Sequence, residues 1–143
     1  MVAPDNYVEK FGADTVRCYL MFLGPWDQGG EWSDTGLNGV SRWLNRVWEI
    51  TLIDSSELHS TIRLDEAVRD MQRTMHKTIR RVIDDIERFK FNTALATLMA
   101  YSNYLSHAWE RKGIGTNDWN AAIGNLLLLL APMAPHITEE IWE

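Results

Sequence analysis

An antiparallel bundle of α-helices, without a β-sheet, is the fold class that this 143-residue sequence predicts. Three observations predict it. Val68, Met71, Met75, Ile79, Val82, Ile86 and Phe89 recur at alternating steps of three and four, the spacing of a buried bundle seam. Leu37, Val40, Leu44, Val47 and Trp48 keep the same helical period, with Arg42, Asn45, Arg46 and Glu49 turned the other way. No segment alternates apolar and polar residues at the period of two that a half-buried strand needs.

The elements follow in order. "PDNYVEKFGADTVRCYLMFLG" reads as two short helices. Asp5 caps the first, and Gly12 ends it in a left-handed conformation; Asp14 sits in the first turn of the second, and Gly24 follows its end. "PWDQGGEWS" is a loop broken by Pro25, Gly29 and Gly30 and pinned to the core by Trp26 and Trp32 at its two ends. Asp34 or Ser33 caps a helix running to about Ile53, with Trp43 at its boundary, ring packed and N–H wet. "DSSELHSTIR" is a polar connection to the long helix that carries the seam. Asn92 starts the next helix, which stops at Gly113 after Arg111 and Lys112. Thr116 or Asn117 caps another, ended by Pro132, and "PHITEEIWE" opens a last one with Pro135 near its start.

Composition narrows the function classes. Hydrophobic residues at 45% and charged ones at 24% are ordinary for a globular domain with one real core. The formal net charge of −6 opposes nucleic-acid binding by bulk attraction and leaves only local basic surface for it. Cys18 is the lone cysteine, so no intrachain disulfide or Cys-cluster metal site forms, and a reducing cytosol suits it. Its neighbours Tyr19, Leu20 and Met21 predict a buried thiol. Asp5, Glu9 and Lys10 stand where a signal peptide needs apolar residues. "NLLLLLAPMAP" is too short to cross a bilayer and reads as a helix buried on all sides. The expectation is a soluble, cytoplasmic protein without a membrane partner.

No catalytic constellation is complete. His59, His76, His107 and His136 fall on separate elements without metal-ligand spacing. Asp84–Asp85 and Glu139–Glu140 are sequence neighbours, about 100° apart on a helix, and do not converge on one proton. "GPWDQGG" lacks the lysine and the preceding strand of a phosphate loop, so tight turning beside a packed tryptophan explains it.

One asymmetry remains. Residues 68–90 carry seven basic side chains against four acidic ones. At 100° per residue Arg69, Arg73, His76 and Arg80 gather opposite the seam, with Lys77 on their flank. Arginine forks match phosphate oxygens, so this row suits a nucleic-acid backbone. On periodicity alone a solvated helix face tied by pairs such as Arg80–Asp84 is the better explanation. Arg42 and Arg46, outward and one turn apart, leave the same choice, since Glu49 is near.

The sequence also carries a resemblance. "VAPDNYVEKFGADTVRCYLMFLGPWDQGGEWSDTGLNGVSRWLNRVW" resembles the stretch of leucyl-tRNA synthetases that follows their mobile lysine-serine catalytic loop. "MHKTIRRVIDDIERFKFNTALATLMAYSNYL" is similar to the central helices of their anticodon-binding domain, and "LLLLAPMAPHITEEIW" to its closing segment. The isoleucine, valine and methionine enzymes share "GAD…R" and "APH…EE" more loosely. Both ATP-binding signatures, the editing domain and the C-terminal extension are absent, and Met1 stands where a valine is expected. The expectation is an excised piece of a larger enzyme, with cut ends that expose apolar surface.

The resemblance implies residues 1–33 as a short-helix junction to the catalytic core, and 34–143 as the anticodon-binding bundle. It implies contact with the stem of tRNA(Leu) through Arg42, Arg46, Arg69, Arg73, His76, Lys77 and Arg80, made to backbone rather than bases. It places the tryptophans in packing. ATP belongs to the parent enzyme, and no catalytic residue, cofactor or metal site is expected in this chain. The competing expectations are a helical protein-interaction module without RNA binding and, more remotely, an independent hydrolase or transferase.

Overall fold

Helix formation follows the caps and breakers in the sequence. The computed structural model describes residues 3–59 and 62–143, and among them the chain forms seven α-helices and no strand. They are α1 (Asp5–Phe11), α2 (Ala13–Phe22), α3 (Asp34–Thr51), α4 (Asp65–Glu87), α5 (Phe91–Arg111), α6 (Thr116–Leu130) and α7 (Pro135–Trp142). No helix among them is long and apolar enough to cross a membrane. The expected polar connection 54–63 includes residues 60 and 61, which lie outside the described residues, as does Met1. Its first half forms a 3₁₀ turn, Ser55–Leu58, that buries Leu58.

Helix α5 is the hub. Ala94, Leu95, Leu98, Tyr101, Ser102, Leu105 and Ala108 are all buried, a face too broad for one neighbour. It meets α4 over the widest interface, and α2, α3 and α6 over narrower ones. Val16, Cys18 and Tyr19 of α2 join the same hydrophobic core as the helices that follow residue 34.

Helix α2 also holds the break between α6 and α7. The Asp14 carboxylate accepts from the His136 N–H at 3.3 Å and the Ile137 N–H at 2.7 Å, and its Oδ1 lies 2.8 Å from His136 Nδ1. It caps α7 from more than a hundred residues away, because Pro135 opens that helix and no local side chain caps it. One turn on, Arg17 donates to the carbonyls of Met133 at 3.3 Å and Pro132 at 3.1 Å, and the Cys18 thiol to Met133 at 3.7 Å. An anion faces a helix start and a cation faces free carbonyls, each on the side its charge favours.

Other caps differ in detail from expectation. Asp5 is the first residue of α1 and makes no side-chain cap; the cap position is Pro4. Gly12 takes φ +84° but an extended ψ of 155°, since it must close α1 and open α2 at once. Ser33 caps α3 by accepting from Gly36 N–H, which frees Asp34 to accept from the Trp32 indole at 2.8 Å. Gly36 is required there, because a Cβ would stand 2.8 Å from the Tyr19 ring. Trp32 lies edge-on to both Tyr7 and Tyr19 and so ties α1 to the core.

Four expectations about packing are corrected. Trp43 is 2% exposed, its N–H donated to Ser102 Oγ at 2.9 Å, while Trp48 is 36% exposed; the α3 face is turned toward the hydroxyl that α5 supplies. In α4, Thr78 and Asp85 are buried where Ile79 and Phe89 were expected to lead. Helix α4 ends at Glu87 and Phe89 turns out of the seam, 63% exposed. Leu128 is 60% exposed, so the leucine run of α6 has an open side. Trp26 likewise lies mostly outside, touching Phe91 edge-on.

Two outcomes follow. Asp14→Ala lowers the unfolding free energy by about 2–3 kcal/mol in a urea titration at unchanged m-value, and Asp14→Asn by less, because it keeps one acceptor. Burial first, and the Asp14 charge second, push the Cys18 thiol up to about 12. Iodoacetamide at about pH 8 therefore leaves Cys18 unmodified in the native chain and alkylates it in denaturing guanidinium.

Candidate nucleic-acid interface

The basic row is set by the geometry of α4. Val68, Met71, Thr78, Val82 and Asp85 bury one side of it, and at 100° per residue the opposite side falls on Arg69, Arg73, His76 and Arg80. All four, and Lys77 beside them, are exposed. None is in an ion pair among the described residues, where the arginine pairs are Arg63–Asp118, Arg81–Asp85 and Arg88–Asp84. The expected Arg80–Asp84 pair is not formed, because Asp84 turns C-terminally to Arg88 at 3.0 Å. The row keeps its charge free for a partner.

Arg42 and Arg46 are exposed and unpaired among the described residues. They stand on α3, which rests on α2, α5 and α7, whereas α4 rests on α5 and α6. The two arginine sets thus belong to helices that do not share a broad interface.

The structure adds residues that helical periodicity could not reveal. The N-terminal half of α4 and the C-terminal half of α5 border an open groove of about 1120 Å³, lined by Arg69 and Arg73 from α4 and by Arg111 and Lys112 from α5. Arg63 lines it from the segment before α4. Leu64 N–H donates to the Gly113 carbonyl at 2.8 Å, which fixes that segment against the end of α5. Arg63 Nε donates to Asp118 Oδ2 at 3.0 Å, and that carboxylate also accepts the Gly115 N–H at 3.2 Å at the start of α6. The guanidinium holds the Asp118 carboxyl below its usual range.

Three carboxylates, Asp65, Glu66 and Asp70, also border the groove. Asp70 accepts from the Tyr104 hydroxyl at 2.7 Å. Burial, then that carboxylate, hold the Tyr104 phenol up at about 12, so it remains a donor. Lys112 has its ammonium 3.7 Å over the Trp109 ring, an arrangement that retains a positive charge at the rim. The only sequence signal for Arg111 and Lys112 was their place at the end of a helix, and Arg63 had none. Among the described residues no three His, Cys, Asp or Glu side chains cluster to hold a metal ion.

Comparison with known proteins fits this arrangement. Residues 68–143, just over half of the chain, match the family described as the anticodon-binding domain of tRNA ligase. The leucine–tRNA ligase of Dehalococcoides mccartyi is 49% identical over 99% of this chain, and that of Herpetosiphon aurantiacus is 45% identical over 100%. The chain spans 17% of the length of each. Among solved structures, the LeuRS of Agrobacterium radiobacter in a ternary complex with tRNA and LeuAMS superposes with a TM-score of 0.86 at 33% identity. That match covers 99% of this chain and 19% of the other. The apo methionyl-tRNA synthetase of Mycobacterium tuberculosis, at a TM-score of 0.73 and 18% identity over 98% of this chain and 34% of its own, shares the fold. The all-helical architecture, the order of its elements and these matches together show that the chain belongs to the family of anticodon-binding domains of tRNA ligases, with leucine–tRNA ligases as its relatives.

Proposed function

We propose that this chain is the tRNA-stem-binding helical domain of a leucine–tRNA ligase of the cytosol, and that it lies along the backbone of tRNA(Leu). The observation that carries the reading is the row Arg69, Arg73, His76 and Arg80, opposite the core and free of ion pairs among the described residues. An RNA stem is an A-form duplex whose deep groove excludes side chains, so it is met through phosphates, 2′-hydroxyls and shape. Planar guanidinium groups suit those acceptors. Lys77 lies on the flank of the row, and Arg42 and Arg46 extend the contact from α3. The Agrobacterium relative was solved as a complex with tRNA, which supports the choice of partner.

In the parent reaction leucine is activated with ATP and passed to the 3′ end of the tRNA. We assign neither step to residues of this chain. We assign residues 1–33 to the junction with the catalytic core, in support of its mobile loop, and the bundle of residues 34–143 to positioning the RNA, with Val16, Cys18 and Tyr19 of the junction packed into the bundle's own core.

A gel shift with tRNA(Leu) over a potassium chloride series tests this. Wild-type binding weakens with salt along a linear log–log slope. Replacing Arg69, Arg73 and Arg80 together by Glu removes three phosphate contacts and reduces that slope by about 2 to 3. Equal affinity and equal slope for the two proteins would take the row out of the RNA interface and leave a protein partner as its function.

A further inference from the structure

The groove beside the basic row carries features that a phosphate backbone does not use. Its α5 wall ends in Lys112, at φ +59° and ψ −153°, a region that a residue with a Cβ enters only at a cost. Gly113 comes directly after it, yet this strained place is given to a lysine. The ammonium is held 3.7 Å over the Trp109 ring, at the rim of the groove. Strained backbone that presents an oriented charge is a mark of functional sites. Arg111 precedes Lys112 on this wall, and Arg69 and Arg73 stand on the α4 wall. None of these four cations is in an ion pair among the described residues.

Two further features select the ligand. Aliphatic side chains line the groove between its cations: Ala108 and Ile114 from the core, and Leu64, which stays 55% exposed. Ile62, just before that segment meets α4, is 80% exposed. The groove also holds Asp65 and Glu66, exposed and in no ion pair among the described residues. Free carboxylates repel a phosphate chain, and aliphatic groups give a nucleobase no face to stack on. A polypeptide meets both conditions. Its carboxylates answer the four cations, and its aliphatic side chains cover Leu64 and Ile62. From Asp65 to Arg73 helix α4 advances about 12 Å, which about four extended residues span. Successive side chains of an extended segment point to opposite sides, so alternating acidic and aliphatic residues reach the rim and the base together.

We propose that the groove between the start of α4 and the end of α5 is a docking site for an extended segment of a protein partner, in which acidic and aliphatic residues alternate. It does not rest on RNA binding, and only Arg69 and Arg73 belong to both surfaces. The probe is a fluorescein-labelled hexapeptide of alternating Glu and Leu, followed by fluorescence anisotropy at low salt. The unmodified chain binds it saturably. Arg111→Glu and Leu64→Ser each weaken that binding about tenfold. Lys112→Gly does the same while it keeps the fold, because glycine suits the backbone there and only the charge is lost. Arg80→Glu, in the row but outside the groove, binds the hexapeptide as the unmodified chain does. No saturable binding, equal affinity for a hexapeptide of alternating Lys and Leu, or unchanged affinity in all three groove variants would overturn the docking site and leave the basic row standing. A tRNA(Leu) transcript that loses affinity for Arg111→Glu and Lys112→Gly as steeply as the hexapeptide does would also overturn it, and would give the groove to RNA.

Discussion

One buried carboxylate holds the two ends of this sequence together. Asp14 accepts two backbone N–H groups at the start of α7 and contacts His136, while Arg17 and Cys18 take the carbonyls just before it. A proline-broken joint between two helices leaves orphan donors on one side and orphan acceptors on the other. Helix α2 answers both with side chains one turn apart. The contact closes a loop of 122 residues, at a cost of about 4 kcal/mol from length alone. It forms only because Val16, Cys18 and Tyr19 bury apolar surface at the same place.

Fixing that joint lets α5 serve as a shared inner wall. With α2 and α3 on one part of its surface and α4 and α6 on another, α4 has a single buried face and a free one. The free face is therefore a product of packing, and the residues on it answer only to solvent and partner. Three carboxylates of α4 are committed elsewhere, Asp85 to Arg81, Asp84 to Arg88 and Asp70 to Tyr104, while Asp65, Glu66 and Glu87 are in no ion pair among the described residues.

Much of this was legible in the sequence, and the exceptions share a cause. Helix order and the outward row on α4 followed from period and cap chemistry, which are local, and these narrowed the cap of α3 to Asp34 or Ser33, of which the structure uses Ser33. The exchange of Trp43 for Trp48 in the core was not legible, because it depends on Ser102 offering a hydroxyl from another helix. The burial of Thr78 and Asp85 and the escape of Phe89 depend on where α5 crosses α4. Arg63, Arg111 and Lys112 join Arg69 and Arg73 only because Gly113 pins the segment before α4 to the end of α5. Periodicity reports which way a side chain leaves its own helix, and it is silent about what waits there.

The charge division has a consequence for encounter. The chain carries −6 in total, while α4 presents arginines on its outer side. The attraction is narrow, because α4 as a whole carries five basic side chains against six acidic ones and its positive charge gathers on the line of Arg69, Arg73, Lys77 and Arg80. A field of that kind acts at short range: in about 0.1 M salt it fades within about 10 Å, so it orders an anionic surface only in the last step of approach.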